Sequence, residues 1–460
     1  MLNHTASRSY GSISSVSDAA ENLLRIRRNR DDMVHQSIFA GEHALAFVGV
    51  LLFSIVYFGR PEDWIPGAGM IPFAKIAGAL ATLGVLGDIA KRSPFHFPKE
   101  LLLLLLLFCQ LCLALPFSTW KGGSFEIVIN QFSKVVIITF VLVHATSTWA
   151  RLRTLIFVHV LAVLAITLVS SFGAGHVETE GRLFGAVGGI FANPNDLALN
   201  LALVLPLCVF FLTVAQNTLV KIAWLAGLAC IVYTVIATYS RSGFLSSLAA
   251  MGVSLWYFGI KQGRYALLVA VMLVATGLFA IAPGRFAARM HSIVDSSLDE
   301  NGSYATRRDL LNRSVEAALK HPLVGGGPGQ FAEVAGGWHV AHNSYTELAA
   351  EAGFPALLIF LLMLGYTFGL TGQLISGKSV DPEYRLAAAG LRASLVAFVI
   401  AAFFASYEYH FFPYLLLGYV SALRGFVIRE RAQLQAEYGT ATQPHVRCNS
   451  ASNLLNAHEG

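Results

Sequence analysis

Apolar residues in this chain come in long blocks separated by short polar connections. A helix needs about 20 such residues to cross a bilayer. Twelve blocks approach that length, at roughly 43–59, 71–90, 100–116, 127–146, 153–172, 190–215, 219–239, 242–260, 264–283, 354–375, 386–405 and 407–427. The pattern predicts an all-α integral membrane protein with about 12 transmembrane helices in a domain at 43–428. One polar interval, about 284–342, is too long for a turn and is expected to be a partly helical loop between the ninth and tenth spans. Within it, residues 303–320 carry Leu311, Val315, Ala318 and Leu319 at helical spacing, and His321-Pro322 closes that helix.

Composition agrees with the blocks. The chain is 55% hydrophobic and 13% charged, with a mean hydropathy of +0.61, where a soluble chain carries about 25% charged residues. The net charge of +5 is dispersed in small clusters between apolar blocks, so membrane lipid rather than nucleic acid is the expected partner. Those clusters orient the chain. Arg25, Arg27, Arg28 and Arg30 precede the first block, and basic residues recur after every second one: Lys91-Arg92, Arg151 and Arg153, Lys221, Lys261 and Arg264, Lys378 and Arg385, then Arg424, Arg429 and Arg431. Both termini are therefore expected in the cytoplasm, with a disordered tail at 1–42 and a second tail at 429–460. No cleavable signal peptide is visible. Cys109-x-x-Cys112 lies inside an apolar block and reads as buried small residues.

Polar residues that break the positive-inside pattern gather in the outward connections. They are Arg182, then Asn193, Asn195 and Asp196 around a Pro194 that interrupts the sixth span, then Arg241 between the seventh and eighth spans, and Arg307, Arg308 and His342 in the long loop. Arginine's planar fork matches phosphate oxygens, so the set suits an anion such as a lipid pyrophosphate. The stretch from His342 to Gly353 adds a base. Ser344 and Glu347 have capping-box spacing, and Tyr345, Leu348, Ala349 and Ala352 share one helix face, with Glu347 and Glu351 toward the other. Gly353 suits a helix end and Pro355 the start of the next helix. The glycines at 325–327 and 329 suit either close backbone approach to a ligand or a flexible turn. No metal-binding, nucleotide-binding or serine-hydrolase motif is present, and no cofactor is expected.

Four stretches then resemble the O-antigen ligase and O-antigen polymerase superfamily of bacterial polysaccharide enzymes. Arg241-Ser-Gly-Phe-Leu245 is similar to its R-x3-L motif, and His342 to Gly353 to its H-x10-G motif. GRLFG with FANPNDLA, and RRDLL with HPLVGGGPGQF, resemble its flanking segments. The likeness covers about 180–370, and Leu311 stands where the family usually has tryptophan. It implies a GT-C-like, metal-independent glycosyltransferase of the inner membrane, using an undecaprenyl-pyrophosphate-linked glycan on the periplasmic side. His342 would be the catalytic base, and Arg241, Arg307, Arg308 and Arg182 would hold the pyrophosphate. Glu351 would orient the histidine, with Glu347, Asn193, Asn195 and Asp196 in support. The motifs do not separate a ligase, with a lipid-core acceptor, from a repeat-unit polymerase. A secondary transporter is the rival from another class, because a helix broken at Asn-Pro-Asn-Asp fits that class; a membrane scaffold is a third reading.

Overall fold

The computed structural model describes residues 38–39, 41–91, 97–173, 177–179, 181–280, 284–291, 303–337, 339–377 and 379–441. Most of the tails expected at 1–42 and 429–460 lies outside these. Residues 36–424 form one compact unit; from Gly425 the described residues, to Ala441, continue the last helix.

Fourteen helices matter here: α1 Ala44–Gly59, α2 Phe73–Ala90, α3 Lys99–Ala114, α4 Lys121–Ala145, α5 Trp149–Phe172, α6 Pro194–Val214, α7 Thr218–Ala237, α8 Arg241–Ile260, α9 Tyr265–Ala280, α10 Gly284–His291, α11 Ser303–Lys320, α12 Ser344–Ser376, α13 Pro382–Ala401 and α14 Phe411–Ala441. A short antiparallel hairpin, Val177–Thr179 with Arg182–Phe184, precedes α6. Among the described residues, ten helices are long and apolar enough to cross a membrane, and the fold is that of an all-α integral membrane protein. The first and ninth expected spans are helices of 16 residues, α1 and α9. Helix α1 rises about 24 Å, short of the roughly 30 Å hydrocarbon core. Helix α1 stops because Arg60 takes a left-handed conformation, φ 48°.

Helix α6 is the centre of the bundle. Nearly all of it is buried, and α5, α7, α8 and α13 pack around it. Pro194 does not interrupt this helix, as the sequence suggested, but starts it. It occupies the first position, where its missing N–H costs nothing. The true internal proline is Pro206. Its missing N–H leaves the Ala202 carbonyl, four residues back, without a helix donor; at the next residue the Ser394 hydroxyl of α13 donates to the Leu203 carbonyl at 2.6 Å.

Helix α11 has the expected extent but a different buried face. Leu310, Ser314, Ala317 and Ala318 are buried, while Leu311, Val315 and Leu319 are 38%, 44% and 66% exposed. Small residues face inward because α11 packs closely on Ala349 and Ala350 of α12. Helix α12 breaks at Gly353, φ 82°, where a Cβ would stand 2.4 Å from the Leu323 carbonyl carbon. The Phe354 N–H then donates to Pro322 at 2.8 Å. The glycine turn serves the same contact. A Cβ on Gly325, φ 66°, would lie 2.1 Å from the Glu351 carbonyl carbon. Gly326 and Gly327 donate to the Ala350 and Glu351 carbonyls, both at 2.9 Å. These glycines admit the protein's own helix.

Candidate active site

The site forms where the starts of α6, α8 and α12 meet the connection between α13 and α14. Asn193 caps α6, its Oδ1 accepting the Asn195 and Asp196 N–H groups at 2.9 and 3.0 Å, and its amide donates to the Asp196 carboxylate. Asn195 Oδ1 accepts from Arg182 Nη2 at 3.1 Å and from the Ser240 hydroxyl at 2.8 Å. Arg182 Nε donates to the Thr238 carbonyl at 3.0 Å. Ser240 is the N-cap of α8, and the half-buried Arg241 is its first residue. One carboxamide oxygen therefore ties Arg182 to the start of the Arg241 helix. Tyr239, two residues earlier, is left-handed at φ 52°, a conformation that costs energy outside glycine and concentrates at functional sites.

His342 shares that conformation, φ 54°, immediately before the cap of α12. The expected Ser344–Glu347 capping box is not formed. Asn343 caps the helix, its Oδ1 accepting the Tyr345 and Thr346 N–H groups at 3.1 and 3.2 Å. Ser344 instead ties α12 to the α13–α14 connection: its hydroxyl donates to Ala405 and accepts the Tyr407 N–H, both at 2.7 Å. The Tyr407 hydroxyl donates to Asp196 Oδ1 at 2.7 Å. The histidine segment and the arginine–asparagine segment thus join through Ser344, Tyr407 and Asp196.

Burial holds the His342 imidazole below its ordinary pKa of 6.5, and the nearby Arg307 and His339 push the same way. Arg307 is half-buried and its field also reaches Tyr407; Arg308 is exposed. Of the two adjacent arginines, Arg307 is the one that acts on this site.

Glu351 sits apart from the orienting role expected of it. Glu351 Oε2 accepts the Gly329 N–H and the Tyr409 hydroxyl, and Oε1 the Phe331 N–H, each at 2.7 Å. It clamps the glycine turn rather than orienting the histidine. Glu347 accepts the Ala341 N–H at 3.0 Å and the Ser406 hydroxyl, which fixes the chain just before His342. Both line a cavity of about 600 Å³, together with Lys134, Glu408, Tyr409 and Phe411. Glu408 is 2% exposed, and burial followed by repulsion from Glu347 and Glu351 raises its pKa well above the usual carboxylate value.

Residues 402–410 were missed from sequence, because 386–405 and 407–427 read as two apolar spans with no connection of note between them. The signal was there: Tyr407, Glu408, Tyr409 and His410 are consecutive polar side chains at the head of an apolar block, and such residues default to functional roles.

The O-antigen ligase family model, Wzy_C, matches residues 226–361, which include Arg241, Arg307 and His342. Over that segment the chain is similar to the O-antigen ligase and polymerase superfamily. No curated protein matches it. The family points to a glycosyltransferase-like membrane enzyme acting on lipid-linked glycan and acceptor substrates. Arg182 and the 402–410 connection lie outside the matched segment. Among the described residues, metal-ligand spacing is met by His43, Asp88 and His144, none of which takes part in this site.

Proposed function

We propose that this chain transfers a glycan from a polyprenyl pyrophosphate carrier, undecaprenyl in type, to an acceptor hydroxyl at the periplasmic face of the inner membrane. The observation that carries this reading is a half-buried imidazole with a lowered pKa beside Arg307, joined through Tyr407 and Asp196 to the Arg182–Asn195–Arg241 segment.

In the reaction, the acceptor hydroxyl gives its proton to neutral His342. Its oxygen bonds to the anomeric carbon as the bond from that carbon to the carrier's pyrophosphate oxygen breaks. The bonding electrons leave with the pyrophosphate, which stays on the polyprenol. Arg307, Arg241 and Arg182 stabilise the charge that develops there. The cavity lined by Glu347, Glu351 and Glu408 offers polar groups for the hydroxyls of an incoming glycan. The bases of α6, α8 and α12 form one continuous site, and this favours a transferase over a transporter, since the helix thought to be broken at Asn-Pro-Asn-Asp simply begins there.

The test is transfer by purified protein with saturating lipid-linked donor. His342→Gln keeps a hydrogen-bond donor and acceptor but is no base, and should lose roughly a hundred- to ten-thousandfold in turnover while still binding donor. Turnover within a few-fold of wild type would remove the general-base role. Supplying a lipid-core acceptor in one reaction and only lipid-linked repeat units in another distinguishes ligase from polymerase.

A further inference from the structure

Three helices bring an imidazole, a carboxylate and a second imidazole to one point. His43 directly precedes α1, Asp88 lies in the last turn of α2, and His144 lies in the last turn of α4. His43 Nδ1 is 2.7 Å from Asp88 Oδ2, and His144 Nε2 is 3.9 Å from the same oxygen. All three ligand atoms fall within 4.8 Å of one another. We infer that they form a binding site for a divalent transition-metal ion of the zinc class, which clips α1, α2 and α4 together at the end of the bundle away from His342.

The location follows from Arg151 and Arg153. Arg151 donates to the Glu42 and Ala145 carbonyls at 2.8 and 3.2 Å, on either side of the cluster. Arg153 pairs with Glu383 at 3.5 Å, at the start of α13. The far end of α13, at Ala402, is where the Ser344 N–H docks. The cluster is therefore a helix-length from the proposed transfer site, and the inference does not rest on that function.

The geometry fits a metal. Tetrahedral zinc with bonds of about 2.1 Å holds its ligand atoms about 3.4 Å apart, between the two distances observed. The three side chains are only 8%, 16% and 6% exposed, and the two rings lie 4.2 Å apart. The backbone holds them there. Gly49 abuts Ala81 and Gly84 abuts Ala46 so closely that a Cβ would stand 2.3 and 2.4 Å from the partner's backbone nitrogen. Gly84 is one turn before Asp88 and Ala46 is three residues after His43, so this contact sets the distance between the two ligands. His43 also takes the left-handed conformation, φ 60°. The ligand set selects the ion. Two imidazoles with one carboxylate suit zinc, and Arg151 within electrostatic reach of Asp88 works against hard ions that rely on carboxylate charge, such as magnesium or calcium.

The experiment uses the full-length protein in detergent, stripped with a chelator and titrated with zinc chloride while the thermal midpoint is followed. A ligand that binds only the folded state raises that midpoint. Cobalt(II) is added in parallel for its visible absorption, which reports coordination geometry. Wild type should gain a higher midpoint at about one zinc per chain and a four-coordinate cobalt spectrum. Asp88→Asn keeps an oxygen to accept from His43, so it should fold. It and His144→Ala should each weaken zinc binding by at least the ~10–100-fold that loss of an outer-sphere partner already costs. Magnesium should leave every midpoint unchanged. No zinc response in wild type, or variants that titrate like wild type, would overturn the inference; the wild-type titration decides even where a substitution prevents folding.

Discussion

His342 is made unusual by its surroundings rather than by its spacing. Burial and the positive charge of Arg307 both disfavour the imidazolium, so the ring stays neutral, and basic, to a lower pH than a free histidine. The sign of the expected pH effect follows. Transfer should persist below the ordinary value of 6.5 and fall only as pH drops through the lowered pKa. Removing Arg307 by Arg307→Gln makes the imidazolium less unfavourable, so the acid limb of the turnover profile should move up, toward neutrality, in addition to any loss of rate. An acid limb in the same place as wild type would mean that Arg307 does not act on the histidine. The two neighbouring arginines should also separate. Arg307→Lys loses the planar fork and should cost on the order of a hundredfold in turnover, while Arg308→Lys, at an exposed position, should stay within a few-fold. Equal losses measured side by side would return the choice between them to chance. The residue types were legible in the sequence, and the spacing of fifteen residues from Arg307 to Pro322 put Arg307 ahead of Arg308 by resemblance; the direction each side chain takes was not legible, since adjacent helical residues differ only in that.

At the scale of elements, the sequence was best read where chain chemistry is local. The bounds of α11 and the break at Gly353 follow from His-Pro and Gly-x-Pro signals that act over two or three residues. The buried face of α11 was misread for a physical reason. Close contact with α12 selects small residues on the inward face, here Ser314, Ala317 and Ala318 against Ala349 and Ala350, and leaves the larger Leu311, Val315 and Leu319 outside. The cap of α12 was misassigned because Asn343 and Ser344 are both capable caps, and only the competing demand of Ala405 and Tyr407 on Ser344 decides between them. The glycine turn yields a prediction of its own. Glu351 accepts two turn N–H groups and one tyrosine hydroxyl, and Glu351→Gln turns one of its acceptor atoms into a donor facing donors. The expected loss is about 1–3 kcal/mol, seen as a lower thermal midpoint in detergent together with slower transfer. Gly325→Ala should be worse, since the added Cβ has no room against the Glu351 backbone. A variant Glu351→Gln as stable as wild type would show that the turn is held by its backbone contacts to α12 alone.

The whole molecule has two chemically distinct ends, and α6 measures the distance between them. Its start carries Asn193, Asn195 and Asp196, bonded to Arg182, Ser240 and Tyr407. Its last turn accepts Arg264 Nη1 at the Thr213 carbonyl, 3.1 Å away. Arg264 belongs to the basic connections that the sequence assigned to the cytoplasm, as does Arg153, which pairs with the start of α13. The histidine and its arginines therefore occupy the end opposite those basic connections. Because positive connections are retained on the cytoplasmic side, the site end should be periplasmic, where a flipped lipid-linked glycan becomes accessible. Reporter fusions test this without any assay of transfer. Fusions at Lys261 and Ser379 should give a cytoplasmic signal, and fusions at Glu62 and Gly336 a periplasmic one. Adding lysines beside Gly336 should weaken insertion rather than improve it, since the charge would be drawn back toward the cytoplasm. Should Gly336 report cytoplasm while Lys261 reports periplasm, the bundle is inverted, and a donor presented on the periplasmic face could not reach His342.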